Sequence, residues 1–415
     1  MPELGRLGSK RCASVPMHAL RGFGASMDDA RGALQCTLSR NPVSTSAIDP
    51  ARPTARLAAL GQSLWLDNIT RTLLDSGTLL RYIRELSVTG LTSNPTIFEK
   101  AIGSGTTYDA QIAALAPKFA DKPNAIEEIF FACAITDLQR AADLFIEIHA
   151  RTKKIDGWVS LEVSPLLAND TAGTVAQAVE LHRRAGRTNL YIKVPGTPEG
   201  CPAIEELIFR GIPINITLLF SREHYLAAAE AYTRGVERRA AAGKDPFVSS
   251  VASVFLSRWD RATAKALPSE LQNTVGIAMA GRILKAAIDF NSSPRWTALI
   301  ARGAKHQRVL WASTGTKDPA LSPCLYVDVL GAPNTVDTIP EETLLALFDK
   351  GNPQRPMPTD GVAAEAVLAA VTKSGVDLAA IAATLQLEGR DSFNKSWMDL
   401  LAKIGSKRDA LAAAR

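Results

Sequence analysis

Asn189-Leu190-Tyr191-Ile192-Lys193-Val194-Pro195 is an apolar run of strand composition with one amine at its centre. Burying an isolated ammonium group is costly, so a lysine in such a run is expected to shed its proton and its pKa to fall. The neutral amine is a nucleophile. Desolvated lysines of this kind attack carbonyl carbons to form Schiff bases. A lysine at a strand's end whose head reaches water would read the same way on position alone, so the residues around Lys193 decide.

Outward from this run, strand-like and helix-like segments alternate. Strands are expected at 63–69, 85–91, 158–163, 189–194, 212–218, 248–255, 309–313 and 325–330. Between most of them lie amphipathic stretches such as 174–185, 222–241 and 271–290, with apolar residues every three or four positions. Alternation of this kind implies right-handed crossovers and a parallel sheet, and eight such units in about 280 residues predict a single closed (β/α)8 barrel of the TIM type. An open doubly wound sheet is the alternative. The gap before Trp158 is long, and the gap between the last two strands is short and holds Pro319 and Pro323. Beyond Gly331, a Pro-rich connection at 352–358 leads to alanine-rich helices expected at 361–373, 377–388 and 394–405, packed outside the barrel.

Residues 1–50 differ from the barrel region, 51–415. Arg, Ser, Ala and Gly dominate, helical periodicity is poor, and Pro42, Pro50 and Pro53 punctuate the end. This extension is expected to be disordered or loosely attached. It also fits an organelle transit peptide, or a start of translation at Met17 or Met27. The location expected is therefore the cytoplasm, or a plastid if the extension is a transit peptide.

Composition narrows the partners. A net charge of +5 without a basic, aromatic-interleaved stripe argues against nucleic acid. Five scattered cysteines without a CxxC pair fit a reducing compartment. The five histidines form no HExxH, so no metal is expected. No apolar stretch reaches the roughly 18 residues that span a bilayer, and no membrane partner is expected. Homo-oligomerisation is left open.

In a TIM-type barrel the active site lies at the strands' C-terminal ends. There the sequence places Asp67 after the first strand, Asn94 after the second, Glu162 in the third, Lys193 in the fourth, Asn215 and Thr217 in the fifth, Ser253, Phe255 and then Arg258 around the sixth, and Ser313 with Lys317 after the seventh. Each has an ordinary alternative. Asp67 could cap a helix, Asn94-Pro95 could be a turn, Glu162 could merely compensate a buried lysine, and Arg258 and Lys317 could be solvated. Their joint occurrence at one end of an apolar barrel is harder to explain that way. Asp67, Glu162, Lys193, Asn94, Asn215 and Thr217 could surround a polyhydroxylated carbon chain, and Arg258, Ser313 and Lys317 offer a cationic edge for a phosphate. A sugar phosphate satisfies both demands.

Five stretches in order resemble the transaldolase family, in particular its longer bacterial and plastid branch. They are Thr92-Ser93-Asn94-Pro95-Thr96-Ile97-Phe98, Ser160-Leu161-Glu162-Val163, Tyr191-Ile192-Lys193-Val194-Pro195-Gly196-Thr197, Asn215-Ile216-Thr217-Leu218-Leu219-Phe220-Ser221 and Trp311-Ala312-Ser313-Thr314. The resemblance covers residues 54–405. It implies an α/β barrel with the nucleophile on the fourth strand, here Lys193. The implied reaction moves a dihydroxyacetone unit from fructose 6-phosphate or sedoheptulose 7-phosphate to erythrose 4-phosphate or glyceraldehyde 3-phosphate, in the non-oxidative pentose phosphate pathway. No cofactor is implied. By the same resemblance, Asp67 moves the proton of the hydroxyl whose C–C bond breaks, and Glu162 with Thr217 holds a proton-shuttling water. Asn94, Asn215 and Ser253 bond substrate hydroxyls, Phe255 lines the pocket, and Arg258, Ser313 and Lys317 take the phosphate.

One departure stands out. Shorter transaldolases carry an arginine soon after the seventh strand, where this chain offers Lys317 along a Gly-containing loop. Two rivals remain within reach of the same residues: a fructose 6-phosphate aldolase, which usually shows glutamine and tyrosine in place of Glu162 and Phe255, and a non-catalytic sugar-phosphate-binding barrel. Carboxylates holding Mg²⁺ for enolate chemistry would be a third.

Overall fold

Eight short strands close on one another in chain order. In the computed structural model, which describes residues 49–316 and 318–414, they are β1 (Ser63–Leu66), β2 (Val88–Leu91), β3 (Val159–Glu162), β4 (Leu190–Pro195), β5 (Ile214–Leu219), β6 (Ser250–Phe255), β7 (Arg308–Ala312) and β8 (Val336–Ile339). Each pairs in parallel with the next, and β8 returns to β1 through Ser63↔Val336 and Leu66↔Ile339. The expected TIM-type barrel is therefore present, and the open sheet is not. The expectations for residues 1–48 and for Lys317 lie outside the described residues.

Side-chain alternation along each strand divides the barrel into an outer and an inner face. Leu64, Leu66, Ile192, Val194, Ile214 and Ile216 alternate with the inward residues and are almost wholly buried. Inside, Trp158 stacks on Tyr191 with ring centroids 4.1 Å apart, and Trp65 lies 6.1 Å from the same tyrosine. The Trp65 indole donates to Asp156 Oδ1 at 2.7 Å. Gly90 makes this aromatic layer possible, because a Cβ there would lie 2.7 Å from the Trp65 ring and 2.7 Å from the Trp158 carbonyl oxygen. The layer plugs the lower barrel and leaves the polar residues of the upper barrel facing the C-terminal mouth.

Two expectations are corrected. The segment 325–330 is a succession of turns, and the eighth strand is Val336–Ile339 instead. Its apolar residues Tyr326, Val327 and Leu330 are buried as loop anchors, with the Tyr326 hydroxyl donating to Asp260. The helices expected at 377–388 and 394–405 are one continuous helix, Leu378–Ala413, N-capped by Asp377. It does not merely pack outside the barrel. Its buried face, Leu385, Gly389, Phe393, Trp397, Leu400 and Ile404, recurs every three or four residues and lies over the strand ends. Gln386 Nε2 donates to Leu218 O at 2.9 Å and Gly196 O at 3.2 Å. Further along, Trp397 packs edge-on against Phe130, and Ser396 bonds Thr96.

Candidate active site

The centre of the site is built from strand register. Glu162 on β3 pairs with Lys193 on β4, and Lys193 pairs with Asn215 on β5, so three polar residues share one level of the inner face. Lys193 Nζ lies 3.2 Å from Glu162 Oε2, with side-chain exposures of 6% and 8%. The amine also donates to Ser93 O at 3.2 Å, and the Phe393 ring centre is 5.6 Å away. Burial pushes the Glu162 carboxyl above the ordinary carboxylate range; the Lys193 charge opposes this and the Asp67 charge adds to it.

A neutral network supports this pair. Ser253 Oγ donates to Asn215 Oδ1 at 2.6 Å, and Asn215 Nδ2 donates to Ser160 Oγ at 3.2 Å. The Asn215 amide is thus engaged at both ends and fully buried. Thr217 follows two residues on, where β5 breaks register with β6 between Ile216 and Leu219. Leu218 sits there at φ 65°, a left-handed conformation uncommon for a non-glycine residue. The Thr217 hydroxyl is buried without a hydrogen-bond partner among the described residues.

Above this level opens a cleft of about 820 Å³, lined by Asp67, Asn94, Lys193, Ser253, Phe255, Arg258 and Ser313 among others. Glu162 and Asn215 are joined to its wall through Lys193 and Ser253, and Thr217 stands beside Pro195 in register. Asp67 accepts from Thr92 Oγ1 at 2.7 Å; the cap of the helix that follows is Thr70, not Asp67. Asn94 is the N-cap of the helix Pro95–Gly103, its Oδ1 accepting from Ile97 N at 3.0 Å, while it also lines the cleft.

The cleft also has a cationic corner, to which Arg258 and Arg261 contribute. Arg258 rides on the helix Ser257–Thr263 immediately after β6, with its guanidinium 5.4 Å from the Phe255 ring centre. Burial draws its pKa below the ordinary arginine value, and the neighbouring Arg261 charge adds to the effect. Ser313, at φ 55°, lies 2.9 Å from Ser257 through the two hydroxyl oxygens. Asp260 braces this corner by accepting from Val275 N and Gly276 N, at 2.9 and 3.1 Å, and from Tyr326.

Sequence reading missed several participants. Ser257 and Arg261 flank an anticipated arginine and could have been found from its i−1 and i+3 positions. Ser93 contributes a backbone carbonyl, which leaves no signal in residue type. Phe393 comes from a helix expected elsewhere.

Comparison with known proteins agrees with this geometry. The family profile described as Transaldolase/Fructose-6-phosphate aldolase matches residues 64–404. Proteins named transaldolase from Thiobacillus denitrificans, Saccharopolyspora erythraea and an Arthrobacter species are 43%, 42% and 42% identical to the chain, over 85%, 85% and 88% of its length and 99%, 97% and 98% of theirs. With a closed eight-stranded barrel, a buried lysine on the fourth strand and matches that span nearly the whole of these relatives, the chain belongs to the transaldolase/fructose-6-phosphate aldolase family.

Proposed function

We propose that the chain is a transaldolase that carries a dihydroxyacetone unit from a ketose phosphate to an aldose phosphate as a Schiff base on Lys193. The observation that carries this reading is the Lys193–Glu162 contact of 3.2 Å inside a barrel wall, beneath a cleft that Lys193 and Arg258 both line. The amine attacks the ketose carbonyl, and loss of water gives an iminium that draws electrons from the adjacent C–C bond. Asp67, on the cleft wall, takes the hydroxyl proton as that bond breaks and returns a proton to the acceptor aldehyde. Glu162, with its raised proton affinity, and Thr217, whose hydroxyl has no partner among the described residues, pass protons through a water while the carbinolamine dehydrates.

Asn94 and Ser253 bond substrate hydroxyls. Asn215 acts on the substrate through Ser253, since its own amide is occupied. Arg258, Ser313 and Lys317 take the phosphate, and binding there supplies energy remote from the reacting carbons. We place the protein in the cytoplasm, which its free thiols Cys133, Cys201 and Cys324 suit.

Incubation with fructose 6-phosphate and erythrose 4-phosphate should give glyceraldehyde 3-phosphate and sedoheptulose 7-phosphate, with activity unchanged in EDTA. Release of free dihydroxyacetone at a rate indifferent to the acceptor would favour the aldolase of the same family instead.

A further inference from the structure

The C-terminal helix brings the ring of Phe393 to the Lys193 amine, 5.6 Å from Nζ to ring centre. It is 6% exposed. It also meets Phe255 at a centroid separation of 6.4 Å with planes inclined by 65°, so a ring from β6 and a ring from the C-terminal helix form a continuous apolar wall beside the nucleophile. The helix is fixed on both sides of this point. Gln386, seven residues earlier, is bonded to two strand-end carbonyls, and Trp397, four residues later, is packed between Phe130 and Phe131.

We infer that Phe393 is a specificity-determining residue that sets the partition of the covalent intermediate between transfer and hydrolysis. The inference rests on the Schiff-base reading of Lys193. After the aldose phosphate leaves, the lysine-bound three-carbon enamine has two fates. In transfer, its carbon attacks the acceptor aldehyde, a C–C bond forms, the aldehyde oxygen gains a proton, and the longer iminium so formed is then hydrolysed to the ketose phosphate and the free amine. In hydrolysis, the same carbon gains a proton to give the iminium, water adds to the C=N carbon, and the resulting carbinolamine loses its hydroxyl proton as the C–N bond breaks. The bonding pair returns to nitrogen, and dihydroxyacetone departs with the water oxygen as its carbonyl.

Both routes end with water at a C=N carbon, but only the second needs water and a proton at the three-carbon adduct, before an acceptor has reached it. An aromatic face beside that bond withholds water and also stabilises the iminium cation through its quadrupole. The two contributions separate on substitution: leucine keeps most of the apolar bulk without the quadrupole, and alanine removes both.

The test is the ratio of free dihydroxyacetone to transferred product at saturating erythrose 4-phosphate, measured for the full chain and for Phe393→Leu and Phe393→Ala. Circular dichroism and thermal melting serve as the fold control, and Phe393→Leu, nearer in volume, stands in if the alanine variant does not fold. The expected result is a ratio raised at least about fivefold in Phe393→Ala and raised less in Phe393→Leu. An unchanged ratio in folded variants overturns the inference. Borohydride trapping with fructose 6-phosphate keeps the two readings apart: if the unsubstituted protein does not trap at Lys193, the Schiff-base reading has failed, whereas normal trapping with an unchanged ratio defeats the role of Phe393 alone.

Discussion

Glu162 and Lys193 are register partners on neighbouring strands, and their side chains meet 3.2 Å apart with more than nine-tenths of each withdrawn from water. Withdrawal penalises both charges, so each depends on the other. That dependence gives a proton a short path between the carboxyl and the amine.

Replacement of Lys193 by methionine should abolish turnover, by at least about 10³-fold, since a covalent route loses its nucleophile. The fold should survive, because Glu162, its carboxyl already raised by burial, can take a proton once the amine is gone. Loss of the borohydride-trapped three-carbon adduct from the peptide containing Lys193 checks the first point, and circular dichroism the second. Activity of even a few per cent would contradict the assignment.

Glu162→Gln keeps the shape and removes the titration. A reduction in kcat of about 10²-fold is expected. Because burial raises the carboxyl, the acid limb of the kcat profile of the unsubstituted protein should lie above the ordinary carboxylate range. The same limb should be missing from the glutamine variant, which a pH series from about 4 to about 9, reaching from the ordinary carboxylate range past neutrality, would reveal.

Arg258→Ala should act on binding. Losing a charge-assisted bond to a phosphate costs about 1.5–3 kcal/mol, or roughly 10- to 150-fold, so KM for fructose 6-phosphate should rise on that scale while kcat changes less. Unphosphorylated fructose should show little difference between the two proteins. An equal loss for both sugars would remove Arg258 from the phosphate end.

Asp337 gives a stability prediction unconnected with turnover. Its carboxyl on β8 is fully buried, accepts from Thr314 Oγ1 at 2.9 Å, and is pushed up by burial from 3.8 to about 7. The folded state therefore binds this proton more tightly than the unfolded one. Its contribution is complete below pH 3.8, declines as the pH rises towards 7, and is constant above. The ceiling is about 4 kcal/mol at roughly 1.4 kcal/mol per unit. Urea midpoints of Asp337→Asn should lack this decline between pH 5 and 7.5 (values chosen to bracket the titration); a parallel curve for both proteins would refute it.

Gly389 tests the helix over the mouth. A Cβ there would lie 2.9 Å from Leu218 Cδ2 and 3.2 Å from Arg258 Nη1. Gly389→Ala, although it favours helix formation by about 1 kcal/mol, should raise KM for phosphorylated sugars by displacing the guanidinium. An unchanged KM with a higher melting temperature would mean that the arginine yields freely.

Most of the barrel was legible because its strands are short, largely apolar runs buried on both faces and separated by amphipathic helices. The eighth strand was not. Val336-Asp337-Thr338-Ile339 carries a buried acid and a threonine, so it looks like a loop, while Leu325-Tyr326-Val327 looks like a strand because its side chains anchor a turn against the barrel. The long terminal helix was divided at Glu388-Gly389-Arg390-Asp391 for a similar reason. Glycine and charge read as a break, yet here the missing side chain admits an arginine. Phe393 was invisible for want of any local signal that its helix crosses the strand ends.

The site is finished by a helix made after the whole barrel. As a nascent chain leaves the ribosome, all eight strands, the lysine and its carboxylate emerge before Leu378–Ala413, the segment that supplies Gln386, Gly389 and Phe393. A newly translated barrel therefore holds its nucleophile under an open mouth until that helix settles. Stop codons, tags or proteolytic nicks near the C-terminus should consequently damage activity far more than their distance in sequence from Lys193 would suggest.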